Sequence, residues 1–89
     1  KAVRLDPNNP TFLDTYAWVL YQLGRYEEAR IPMRQAISLD SDNNKELYVH
    51  YGDILYKLGD RFMASYYWKK ALENGYDAQE IENRLKQIE

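Results

Sequence analysis

The sequence predicts an all-α fold, a solenoid of antiparallel helix pairs, and three observations predict it. The chain repeats itself: at an offset of 35 residues Tyr16 meets Tyr51, Leu20 meets Leu55, Tyr21 meets Tyr56, Leu23 meets Leu58, Gly24 meets Gly59, Ala29 meets Ala64 and Ala36 meets Ala71. Val19/Ile54, Ile37/Leu72 and Arg34/Lys69 are conservative matches in the same register. Apolar residues recur at three- and four-residue spacing, and no segment alternates as a half-buried strand does. Glycines and capping residues cut the chain into helix-sized pieces. A repeat of roughly 35 residues is too small to bury its own apolar face, so copies of it must stack.

The chain is expected to begin inside a repeat. Ala2, Leu5, Asp6 and Asn9 align with Ala36, Leu39, Asp40 and Asn43 at an offset of 34, so residues 1–9 read as the tail of a preceding unit. The extra residue of the second interval falls in the polar stretch Ser41-Asp42-Asn43-Asn44, where a loop absorbs an insertion at little cost. The first whole repeat spans residues 10–44. Asn9 caps its first helix and Pro10 occupies the first turn, where a missing N–H costs nothing. Leu13, Tyr16, Ala17, Leu20 and Leu23 form one buried stripe, and Gly24 suits the left-handed residue that ends the helix.

The second helix runs from about Tyr26 to Leu39 and presents Ala29, Met33, Ala36 and Ile37. Pro32 lies inside it. A proline there removes a backbone hydrogen bond, collides with the Glu28 carbonyl and costs about 3 kcal/mol in a straight helix, so a kink is expected, with an early helix end as the second reading.

The second repeat spans residues 45–76: Asn43 or Asn44 opens its first helix, Gly59 ends that helix, Asp60 caps the next, and Gly75 ends it. Residues 77–89 read as a capping helix. Asp77 and Glu80 have the spacing of an N-cap with a reciprocal N3 carboxylate. Ala78, Ile81, Leu85 and Ile88 form the apolar stripe, and Glu82, Arg84, Lys86 and Gln87 the polar face opposite.

Composition narrows the function. The 89 residues make one domain, near the size at which a single core gives marginal stability. The net charge of −2, from 12 basic and 14 acidic side chains, offers no positive field for a phosphate backbone. With no cysteine, disulfides and thiolate metal sites are excluded. No apolar run approaches the roughly 20 residues of a membrane-spanning helix, so no membrane insertion is expected of this segment, and no signal-peptide core is seen.

On these residues the chain resembles the tetratricopeptide repeat family, whose unit is a helix-turn-helix of about 34 residues. The family's small positions fall on Ala17, Ala29, Ala36, Gly52, Ala64 and Ala71, and its large ones on Leu13, Tyr16, Leu20, Met33, Tyr48, Tyr51, Leu55 and Trp68. Small side chains let two helices approach closely while large ones fill the gaps beside them. Leu13 in place of the usual tryptophan, Ser41 in place of proline and Arg61 opposite Tyr26 are departures; Pro7 keeps the proline position of the partial unit. The resemblance implies a right-handed solenoid and covers residues 1 to about 76. The runs His50-Tyr51-Gly52-Asp53 and Trp68-Lys69-Lys70-Ala71-Leu72 look like bacterial members, many of which are adaptors of the cell envelope, with the cytoplasm as the other location.

In this family the first helix of each repeat lines a concave groove that holds a peptide segment or partner protein, without catalysis and without cofactor or metal. Carried over, the groove residues are Thr11, Asp14, Thr15, Trp18, Tyr21 and Gln22, then Glu46, Val49, His50, Asp53, Tyr56 and Lys57. Trp18, Tyr21 and Tyr56 supply the rigid aromatic surface enriched at binding hot spots, while Tyr16, Tyr48 and Tyr51 read as core. The branch that grips acidic chaperone tails uses lysine and asparagine where this chain has Asp14, Thr15 and Trp18, then Val49, His50 and Asp53, so that activity does not transfer. Homotypic stacking through the N-terminal edge is a further expectation.

Two other readings compete. The related pentatricopeptide repeats read single-stranded RNA, but Asp14, Glu46 and Asp53 oppose a nucleic-acid partner. A small enzyme would use His50, the single histidine, with Asp53 one turn on. No nucleophile elbow, phosphate loop or ligand cluster accompanies that pair.

Overall fold

A computed structural model describes residues 9–40 and 44–88. Five helices follow one another: α1 (Pro10–Gln22), α2 (Tyr26–Leu39), α3 (Lys45–Lys57), α4 (Arg61–Glu73) and α5 (Ala78–Ile88). No strand occurs among the described residues. The reading of residues 1–9 as the tail of a preceding unit falls outside them, Asn9 excepted.

Each boundary has a local cause. The Asn9 side chain accepts from the backbone N–H groups of Thr11 and Phe12 at 2.8 and 3.3 Å, with Pro10 in the first turn. Asn44 takes the corresponding place for α3, accepting from Glu46 N–H at 3.0 Å, and Asp60 caps α4 through Met63 N–H at 3.1 Å. The two C-termini that the repeat places in register close alike. Gly24 N–H bonds to Tyr21 C=O and Arg25 N–H to Leu20 C=O, as Gly59 N–H bonds to Tyr56 C=O and Asp60 N–H to Leu55 C=O. This closure needs a left-handed residue, and Gly24 and Gly59 stand at φ 79° and 91°. Pro32 does not end α2, which continues to Leu39 with the proline ring buried, so the early-end reading is excluded.

The helices pair as α1 on α2 and α3 on α4; α2 and α1 then lie against α3, and α5 lies on α4. The result is elongated, 48 × 27 × 18 Å. Its seam is built from the small residues: Ala17, Ala29, Ala36, Ala64 and Ala71 are fully buried and Gly52 is buried with them. Met33, Trp68, Ile54 and Ile81 are the large side chains that fill the space between.

Two expectations about burial are corrected. Tyr16 is 50% exposed and Leu23 64%, although both were expected in the buried stripe. Tyr51, the repeat equivalent of Tyr16, is 7% exposed, because α3 has α2 against it and no described helix plays that part for α1. Phe12 and Tyr16 instead stack on each other with centroids 6.2 Å apart.

α5 departs twice from its expected design. Asp77 caps it through Gln79 N–H at 3.0 Å, but the Glu80 carboxylate does not reach back; it binds Arg84 at 3.2 Å. Arg84, expected on the polar face, turns inward. It lies three residues after Ile81 and four before Ile88, which is the phase of the apolar stripe itself.

Candidate functional site: a concave groove

The inner helices α1 and α3 bring most of the expected groove residues together. Trp18 is interleaved: its indole stacks on the Tyr21 ring at 4.6 Å and on the His50 imidazole at 4.3 Å, and Tyr21 in turn meets Tyr26 edge-on at 5.3 Å. The row crosses from α1 to α3, so the two repeats share one aromatic surface. Trp18, Tyr21 and Tyr56 are each half-buried, with part of each ring left to solvent.

A polar group fixes one end of that row. His50 Nδ1 lies 2.7 Å from Asp14 Oδ1, and a carboxylate accepts only, so Nδ1 carries the proton. Asp53 is a hub: its Oδ1 accepts from Trp68 Nε1–H at 3.0 Å and from Arg84 Nε at 2.9 Å, and its Oδ2 lies 3.3 Å from Arg84 Nη2. His50 and Asp53 therefore serve different partners, and the His50/Asp53 catalytic pair is not formed. Hydrogen bonding to Asp53 raises the Arg84 pKa above its ordinary value, which keeps the guanidinium charged. Tyr21 is pushed up by burial first and by the Asp53 charge second, so its hydroxyl stays protonated beside the cleft.

Two clefts follow. One, of about 440 Å³, has Tyr21, Tyr56 and Lys57 on one wall, Asp53 and Trp68 at its floor, and Glu80, Asn83, Arg84 and Gln87 of α5 on the other wall. The second, of about 360 Å³, lies over the helix N-termini and is lined by Thr11, Asp14, Asp40, Glu46 and their neighbours. Thr15 and Gln22 are exposed and line neither. Val49 is corrected: it is 1% exposed and belongs to the core, since α3 is flanked on both sides and has no face to spare there.

The α5 wall was missed from sequence. The signal for Arg84 was its phase on the Ile81 stripe, together with an aspartate, Asp53, that needs a partner once it is half-buried. No group of three or more metal-ligating side chains is found among the described residues. No described helix is long and apolar enough to cross a membrane.

Comparison with known proteins places this architecture. The family model described as tetratricopeptide repeat matches residues 1–31. Among solved structures, the first TPR domain of Spaghetti (RPAP3) bound to the HSP90 peptide SRMEEVD superposes with a TM-score of 0.85 at 23% identity, covering 93% of this chain and 65% of that one. The N-terminal domain of stress-induced protein-1 (STI-1) from C. elegans gives 0.78 at 20% identity, covering 93% and 69%. The chain thus spans just under two thirds of the first of these domains. None of the curated proteins matches it.

Proposed function

We propose that this chain, a tetratricopeptide-repeat protein in fold, is a non-catalytic scaffold that holds a peptide segment or partner protein in its concave groove. Repeats at residues 10–44 and 45–76 and a cap at 77–89 build the groove, with Thr11, Asp14, Trp18, Tyr21, Glu46, His50, Asp53, Tyr56 and Lys57 facing the partner. The observation that carries the reading is the aromatic row Tyr21–Trp18–His50, which spans both repeats beside a cleft of about 440 Å³. Half-buried rings held by their neighbours lose little entropy when a partner covers them, the condition for a hot spot. The Spaghetti domain, of the same fold, is seen bound to a peptide.

That peptide's acidic character is not carried over. Asp14 and Asp53 stand here where the acid-binding branch has lysine and asparagine, and Asp53 already neutralises Arg84. The same carboxylates disfavour RNA.

Capture of partners by the intact protein, followed by crosslink mapping, tests the proposal. Crosslinks should concentrate at the Lys57 and Gln22 edge of the groove and fall when Trp18 is replaced by alanine. Crosslinks confined to the outer face of α2 and α4 would overturn it, and steeply salt-dependent retention of single-stranded RNA on a filter would favour the nucleic-acid reading instead.

A further inference from the structure

α5 is held unlike the four helices before it. Each of those packs on at least two others, whereas α5 lies on α4 alone, through the fully buried Ile81 and the half-buried Leu85 and Ile88. An 11-residue helix has little independent stability in water, so α5 exists as a helix only while it is docked. Its hydrogen-bonded tie to the inner layer is Arg84, whose guanidinium meets both oxygens of Asp53, at 2.9 and 3.3 Å. The side chains of Arg84 and Asp53 retain 24% and 12% of their exposure, so the pair is shielded from solvent far more than a surface salt bridge.

We propose that the Asp53–Arg84 pair is a latch and that α5 is a hinged wall of the groove. When the pair parts, α5 leaves α4 and loses its helix while α1 to α4 remain folded, because the rest of the core is complete without it: Ile81 is the single fully buried side chain that α5 contributes. The hinge is the short turn at 74–77, where Gly75 stands at φ 97°. Release removes Glu80, Asn83, Arg84 and Gln87 from the cleft and bares Tyr56 and the Trp68 indole. The groove therefore has two widths. A partner that touches both walls selects the latched form, and one that needs a wide, flat aromatic face selects the open one. The latch goes beyond the scaffold reading, since it is a property of the unliganded chain.

Hydrogen exchange of the whole chain near neutral pH tests it, in wild type, Arg84→Gln, Arg84→Lys, Asp53→Asn and the Arg84→Gln/Asp53→Asn double variant. Asparagine at 53 keeps an acceptor for the Trp68 indole, whose Nε1–H resonance reports that the α3–α4 tie survives. Losing a charge-assisted bond of this kind should speed exchange of the α5 amides about tenfold in each single variant, with α1–α3 unchanged. The double variant should exchange no faster than either single one, and lysine at 84 should recover part of the protection. Unchanged α5 exchange in both single variants, additive effects in the double variant, or equal acceleration across all five helices would each overturn the latch.

Discussion

His50 and Asp14 lie 36 residues apart in sequence and 2.7 Å apart in space, and their contact joins the inner helices of the two repeats. Both side chains are about a quarter exposed, so the bond is neither a solvent-screened surface pair nor a fully desolvated one. It also sets the plane on which the Trp18 indole rests. The Trp18 ring is thus positioned by a polar contact beneath it.

Asp14→Asn and His50→Ala should each lower stability by about 1–2 kcal/mol, the usual worth of a partly buried bond to a charged group. Urea denaturation of both single variants and the double variant checks this. A coupling near zero in that cycle would show the two side chains to be neighbours without an interaction.

The repeat equivalents Tyr16 and Tyr51 offer a matched test of the stack. Tyr51→Ala removes a 7% exposed ring and should cost about 3–4 kcal/mol, as truncation of a buried aromatic does. Tyr16→Ala removes a ring that is 50% exposed and should cost under about 1 kcal/mol. Thermal melts of the two variants decide it; equal losses would mean that the outward face of α1 is covered in solution.

That pair also shows what a repeating sequence discloses. Helix order, the caps Asn9 and Asp60, and the small-residue seam were legible because each depends on the residue itself and on partners fixed by the repeat, and the α3 cap was narrowed to Asn43 or Asn44. The burial of Tyr16, Leu23 and Val49 was not, because identical positions meet different neighbours at the edge and in the middle of a stack. Within the groove, Trp18 and Tyr21 were carried over from the family resemblance, while the stacking of Trp18 on His50 was not legible. The pairing of His50 with Asp14 and of Asp53 with Arg84 was not legible either, since each partner lies more than 30 residues away on another helix.

Tyrosine ionisation should report on the folded state. Burial pushes Tyr21, Tyr67 and Tyr76 above the ordinary 10.0, so these three bind their protons more tightly folded than unfolded. A group whose pKa is raised by folding contributes stability that is whole below its unfolded pKa and is lost as pH rises through the folded one. Stability should therefore fall above about pH 10. Absorbance at about 295 nm, followed with and without urea, checks it: the folded chain should titrate later, and superimposable curves would contradict the burial of these rings.

Gly52→Ala sets two effects against each other. In an exposed helix the change to alanine stabilises by about 1 kcal/mol through backbone entropy. Here a methyl group on residue 52 would sit 2.5 Å from both Cδ1 and Nε1 of Trp68 and 3.2 Å from the Ala64 carbonyl oxygen. Trp68 is 1% exposed and its indole nitrogen is held by Asp53 at 3.0 Å, so the ring has no room to swing and would break that bond if it did. Overpacking of this kind costs about 1–3 kcal/mol and the lost hydrogen bond about 1 more, which outweighs the gain in helix propensity. The net expectation is a loss of about 1–3 kcal/mol, read as a fall in melting temperature of several degrees per kcal/mol for a domain of this size. In a Trp68→Leu background the same substitution should cost much less, because the colliding atoms are gone. A Gly52→Ala chain as stable as wild type would show that α3 and α4 do not approach at that glycine.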